Sequence, residues 1–171
     1  EDPKEEVKRG FMRMITYAEK NVYVQTPYFV PDQSIVESLK MAAQSGIDVR
    51  IIIQCMPDHM FVYWATYAYV GELLRSGARV FIYDNGFLHS KTLVVDGEVA
   101  SVGSTNFDNR SFRLNFETNA FIFDSEFALK MEDTFRRDMA LGHELTLEQY
   151  NKRSPIIRIK EAVSRLLADI L

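Results

Sequence analysis

The chain has 171 residues, 47% of them hydrophobic, 26% charged and 12% aromatic, with a formal net charge of −4 and a pI near 5.4. That length supports one sizeable core, and the acidic balance argues against a domain whose main surface grips nucleic acid, although a local basic site stays compatible with it. Cys55 is the only cysteine, so no disulfide closes within the chain; a buried, inert thiol in a reducing compartment is expected, and no apolar run approaches the ~20 residues that span a bilayer.

The opening EDPKEEVKRG reads as a polar linker over residues 1–6 that enters a helix. Without an initiator methionine or a signal-peptide pattern, it suggests either a piece of a longer protein or a processed chain. Val7 to Glu19 has helical spacing (Val7, Phe11, Met14, Ile15, Ala18), and NVYVQT after it reads as a short strand. PYFVPDQS is a proline-punctuated loop, and QSIVESLKMAAQSG is a helix stopped at Gly46. DVRIIIQC is a buried strand broken by PDHM; FVYWATYAYVGELLRSG is a helix ending at Gly77; ARVFIYD is another strand. Strand, helix, strand, helix, strand predicts an α/β fold, a sheet with right-handed crossovers and helices on its faces.

The second half changes character. Two apolar runs flank Asp96-Gly97 in HSKTLVVDGEVASVG, a hairpin signal because both central positions of that turn favour positive φ. NFETNAFIFD predicts a further strand, and SEFALKMEDTFRRDMAL a helix with Ser125 as N-cap and Glu126 in its first turn. Across 155–171 the apolar residues Ile156, Ile159, Val163, Leu166 and Ile170 form one stripe, with Arg158, Lys160 and Arg165 on the other side. The stripe predicts a helix packed on its parent domain; a membrane-surface or partner-facing helix is the other reading.

Chemistry concentrates in HSKTLVVDGEVASVGSTNFDNRSF, residues 89–112. In an extended strand His89 and Lys91 point to one face about 7 Å apart, with Ser90 on the other. An imidazole is a nucleophile or proton carrier near neutral pH, and an ammonium suits phosphoryl oxygens. The pair therefore fits attack on a phosphodiester. The hairpin then returns Gly103, Ser104 and Asn106 towards His89. Gly103 would let backbone approach a ligand, while Ser104 and Asn106 offer neutral donors to phosphate oxygens. Asp96 is explained by the turn itself and is expected to be structural.

H-x-K-x4-D followed by G-S-x-N resembles the signature of the phospholipase D superfamily, matched here by His89, Lys91, Asp96, Gly103, Ser104 and Asn106. The likeness extends through YVQTPYFVPDQS, PDHMFVYWATYAYVGELL, YDNGFLHSKTLVVDGEVASVGSTNFDNRSFRLNFE and the closing LTLEQYNKRSPIIRIKEAVSRLLADIL, which are similar to the carboxy-terminal half of bacterial cardiolipin synthases. The resemblance implies a phospholipase D-like α-β-α sandwich, a mixed sheet with helices on both faces, forming a single catalytic half-domain over 1–171. It also implies two H-x-K motifs facing one pocket. One histidine forms a phosphohistidine, and the other protonates the leaving alcohol and then activates the acceptor. Donor and acceptor would both be phosphatidylglycerol, giving cardiolipin and glycerol with no metal or organic cofactor; lysines and polar donors would stabilise the anionic transition state.

His89, Lys91, Asp96 and Glu117 are thus the catalytic candidates, and Gly103, Ser104, Asn106 and Tyr28 the substrate-binding ones. The family carries an acid at the place of Glu117 in LNFETN; bonding the far ring nitrogen of His89 would fix its tautomer. Tyr28, Phe29 and Asp32 are candidates to line the pocket. His59 reads as a helix start, with a ligand-facing role as the rival, and His143 as a loop residue. Tyr63, Trp64, Tyr67 and Tyr69 read as packing residues rather than a lipid slot, and no histidine or cysteine spacing suits a metal. H-x-K occurs once, so the chain carries half a site. The expected partner is a second H-x-K half-domain, from the same longer chain or a symmetric copy. The parent protein is expected at the bacterial cell membrane, its catalytic part facing the cytoplasm and this fragment soluble, with no nucleic acid bound. The alternative is a self-associating single-motif phosphodiesterase or nuclease; a purely lipid- or partner-binding module would leave the motif idle. The sequence does not order the two histidines.

Overall fold

The structure is a computed structural model that describes residues 5–56 and 58–168. Residues 1–4 of the expected linker and Ile170 of the expected closing stripe lie outside them. The first helix, α1 (Glu6–Thr16), starts one residue inside that linker. β1 (Asn21–Gln25), a two-residue β2 (Phe29–Val30), α2 (Gln33–Gln44), β3 (Asp48–Gln54), α3 (Met60–Arg75) and β4 (Arg79–Tyr83) follow. The hairpin is β5 (Thr92–Val95) and β6 (Val99–Gly103); then come β7 (Phe107–Asp108), α4 (Asn109–Arg113) and β8 (Asn119–Ile122). α5 (Ser125–Met139), β9 (Gly142–Leu145), α6 (Leu147–Asn151) and α7 (Pro155–Leu166) complete the order.

Seven strands form one mixed sheet in the order β8-β6-β5-β1-β3-β4-β9. β1, β3 and β4 are parallel, and β5 pairs antiparallel with β1 on the side away from β3. The sheet alternates sides along every central strand. Val22, Val24, Ile51, Ile53, Val80, Ile82, Leu93 and Val95 join the core beneath α1, α2 and α3. Tyr23, Ile52, Phe81, Val94 and Ala100 join Ala128 and Phe135 of α5 on the other face. Covering both faces explains why these strands read as unbroken apolar runs rather than as alternating ones. The Asp-Gly turn forms as expected: Asp96 and Gly97 have φ of 57° and 66°, and Glu98 N–H donates to Val95 O at 3.0 Å.

Four expectations need correction. The cap of α5 is Asp124, whose carboxylate accepts the Phe127 N–H at 2.7 Å, and Ser125 is the first residue of the helix. His143 sits in β9 rather than a loop, opposite Ile82, with its ring 2.6 Å from Asp84. Cys55 is half-buried, not buried. The closing helix is inverted: Ile156, Ile159, Val163 and Leu166 are 67%, 63%, 49% and 84% exposed, while Glu161 and Ser164 are buried. Its inward face is the polar one. Arg153 grips Glu161 with two bonds of 2.7 Å, Lys160 lies over the Trp64 ring, and Arg165 lies over Tyr69 and pairs with Glu72. Aromatic and acidic groups on α3 already offer partners for charged side chains, and a paired, hydrogen-bonded charge tolerates burial.

Candidate active site

β5 begins at Thr92, so His89, Ser90 and Lys91 precede the strand. The Lys91 side chain reaches back along its own backbone, Nζ donating to His89 O at 2.7 Å. Lys91 is 9% exposed. Burial lowers its pKa below the ordinary lysine value, and the carboxylates of Glu117 and Asp108 push it back up. His89 is exposed, beside the Phe87 ring at 5.7 Å. Among the described residues its ring has no hydrogen-bond partner.

The hairpin does return Gly103 to Lys91, whose carbonyl accepts the Gly103 N–H at 3.4 Å. The smallness of Gly103 serves a different purpose from the one expected: a Cβ there would collide with Thr118 O and the Asn119 side chain across β6 and β8. This glycine lets two strands close up. One residue on, Ser104 N–H donates to Thr118 O at 3.0 Å, and the Ser104 hydroxyl donates to Glu117 Oε2. Glu117 Oε1 accepts from Asn115 Nδ2 at 3.2 Å. The carboxylate that was expected on the His89 ring thus holds Ser104 and Asn115 instead.

Asn119 anchors the turn between these groups. Its Oδ1 accepts from Thr105 N–H at 3.2 Å and Thr105 Oγ1 at 2.5 Å, while its Nδ2 donates to Ser101 Oγ at 3.0 Å. That fixes the backbone carrying Asn106. Asn106 bonds Asp108, yet among the described residues its buried Oδ1 has no partner. Asp108 caps α4, accepting Ser111 N–H at 2.6 Å. Burial raises its pKa, against bonds from Ser111 and Asn106 that lower it.

Asn106, Asp108 and Asn115 share a cleft of about 300 Å³ with Tyr28, His59 and Arg110. The Thr26 hydroxyl assembles its wall, donating to Tyr28 O at 2.9 Å and accepting Phe107 N–H at 3.3 Å. Tyr28 donates its hydroxyl to Asp58; burial and that carboxylate push its pKa up. The His59 ring meets the Tyr28 ring edge-on at 6.0 Å. Phe29 is core, stacked on Phe107, and Asp32 caps α2. Tyr69 is buried, whereas Tyr63, Trp64 and Tyr67 are half-buried. Asp96 is not among these groups. It stands at the far end of β5, where its carboxylate accepts the N–H groups of Glu19, Lys20 and Asn21, each at 2.8 Å. Among the described residues no group of three or more His, Cys, Asp or Glu side chains could hold a metal ion.

Residues 11–139 match the family described as "Cardiolipin synthase, PLD-like domain". The chain belongs to that family. It is 57% identical over 167 residues to a cardiolipin synthase of Listeria monocytogenes, an alignment covering 98% of this chain and 35% of the relative. It is 55% identical to the major cardiolipin synthase of Bacillus subtilis with the same coverage. The chain thus spans about a third of the length of these relatives. Among solved structures, the phospholipase D family member Nuc of Salmonella typhimurium superposes with a TM-score of 0.74 at 20% identity, covering 85% of this chain and 94% of that one. The phosphatidylserine synthase of Haemophilus influenzae gives 0.73 at 18% identity, covering 97% and 45%. At these identities the two show the fold alone, a phospholipase D-like mixed sheet flanked by helices.

Within this cardiolipin synthase-family chain, sequence reasoning missed Asp108, Asn115 and Asn119. Asp108 carried a readable signal, D-N-R-S, an aspartate three residues before the serine whose N–H it caps. Asn115 and Asn119 flank the anticipated Glu117 at two residues on either side, but nothing local distinguishes them from ordinary loop and strand asparagines.

Proposed function

We propose that this chain supplies one half of a phosphatidyl-transfer site, the carboxy-terminal catalytic half of a cardiolipin synthase acting on phosphatidylglycerol. One observation carries the reading. Three polar groups with hydrogen-bonding capacity to spare among the described residues, the exposed His89 ring, the Lys91 ammonium and the buried Asn106 Oδ1, lie on the segments that meet at β5, β6 and β7. A phosphatidylglycerol would complete them, its phosphodiester accepting from the Lys91 ammonium and a glycerol hydroxyl donating to Asn106 Oδ1. Lys91 takes the phosphoryl oxygens, and the Ser104 hydroxyl, held by Glu117 in the free chain, turns to them when the ligand binds. Glu117 orients Ser104 and keeps Lys91 charged.

In the first step a histidine nitrogen bonds to phosphorus, and the phosphorus–oxygen bond to glycerol breaks. Glycerol leaves with a proton from the histidine of the second half. The hydroxyl of a second phosphatidylglycerol then returns a proton to that histidine and displaces the phosphohistidine, which regenerates the free imidazole. The two histidines divide these roles, and trapping the phosphorylated intermediate and locating its label assigns them. Apolar side chains left exposed around the site, Met60, Phe61, Phe87, Leu114 and Phe116, the last 98% exposed, support burial against a second half-domain.

The test is a chimera in which this chain replaces the matching third of the Bacillus subtilis enzyme, assayed for cardiolipin and glycerol release from phosphatidylglycerol. The chimera is expected to be active and the isolated chain inert. A correctly folded chimera without transfer, or an isolated chain that dimerises and cleaves nucleic acid, overturns the reading.

A further inference from the structure

The outward stripe of α7 is used by nothing described so far. Ile156, Ile159, Val163 and Leu166 follow one another at intervals of three, four and three, a single line along the helix. They lie opposite the buried Glu161 and Ser164, so the stripe faces straight away from α3. From 147 to 168 the chain holds five cations (Lys152, Arg153, Arg158, Lys160, Arg165) and two carboxylates (Glu148, Glu161). Within α7 the only carboxylate, Glu161, is buried under Arg153; Arg158 and Lys160 are exposed beside the stripe, while Arg165 is paired inward with Glu72. This is the one basic end of a chain that is acidic overall. The helix also ends beside the active site: Asn109 Nδ2 donates to Ala168 O at 3.4 Å, one residue from the Asp108 that lines the cleft.

We infer that α7 lies in the surface of an anionic phospholipid bilayer, its stripe among the acyl chains and its cations at the headgroups. The choice of lipid rests on the phosphatidyl-transfer reading. The surface itself argues independently, because an apolar line with Arg158 and Lys160 exposed beside it and no exposed carboxylate in α7 is complementary to an anionic interface and poorly matched to an acidic protein face with few apolar groups. Docking in this way brings the cleft, at the end of the helix, to the level where phosphodiesters sit.

Sedimentation of the 171-residue chain with vesicles tests this, using phosphatidylcholine and phosphatidylglycerol in a two-to-one ratio against phosphatidylcholine alone. Binding is expected to the mixed vesicles, to weaken with salt, and to fall at least ~10-fold in Ile159→Ser/Leu166→Ser. Leu129→Ser, which removes an exposed apolar side chain of α5, leaves it unchanged. All three substituted sites, Ile159, Leu166 and Leu129, are exposed, and circular dichroism melts should match the parent. Equal binding by the stripe variant, or none by the parent, overturns the inference. So does a dimer seen by light scattering that the stripe variant dissolves, since the stripe would then cover protein. The two readings fail separately: a folded chimera without transfer whose 171-residue chain still binds the mixed vesicles through the stripe sinks only the phosphatidyl-transfer reading, and an active chimera whose chain does not bind them sinks only this inference.

Discussion

The two ends of β5 carry the two ends of one motif and treat their polar groups in opposite ways. At the Asp96 end a carboxylate meets three backbone N–H groups at 2.8 Å and a positive-φ turn, and it joins the start of β1 to the hairpin. At the Lys91 end an ammonium has one carbonyl and distant carboxylates, a histidine ring has no partner, and a buried amide oxygen is left open. A saturated polar group holds the fold. An unsaturated one, kept in place by saturated neighbours such as Asn119, is what the proposed phosphatidyl-transfer site would use.

Substituting at each end sharpens this contrast. In the chimera described above, His89→Ala should lower transfer by at least ~10³-fold, because it removes the group that bonds to phosphorus or moves the proton. The melting temperature should stay unchanged; a lower one would give His89 a structural share. Asp96→Ala should do the reverse. Losing three charge-assisted bonds and forcing alanine into positive φ costs about 2–4 kcal/mol of stability, read by urea unfolding. Turnover per folded molecule should stay within about twofold, since no reacting group is touched. A large loss of turnover in the folded fraction would erase the distinction between the ends.

A smaller effect is expected at Glu117→Gln, about 10–100-fold in transfer, with a pH signature. Lys91 holds phosphate oxygens only when charged. Burial already draws its pKa below the ordinary 10.5, and Glu117 raises it. Removing that carboxylate should move the alkaline limb of activity to lower pH. A limb that stays in place would mean that Glu117 acts through Ser104 alone.

Much of the core was readable because it depends on near neighbours in the chain. The βα units, the helix stops and the Asp-Gly hairpin each rest on a few consecutive residues and their φ preferences. The site was half-readable. His89, Lys91, Ser104, Asn106 and Glu117 all lie in segments that meet, but Glu117 pairs with Ser104, thirteen residues away, rather than with the His89 ring. Gly103 answers to Thr118 and Asn119 on β8. β2 and β7 are two residues each and exist only because they pair with one another, which no local window reveals.

The sequence by itself determined that α7 is a helix with one apolar and one polar side, since spacing alone fixes which residues share a face. Which side turns inward was decided by the tertiary structure. α3 meets α7 with Trp64, Tyr69 and Glu72, so Lys160 and Arg165 find partners there, while Glu161 is matched by Arg153 from the turn before it. The same holds at β5, where residue order specified a lysine, a histidine and an aspartate, and only the surrounding strands decided which of them would be left without enough partners.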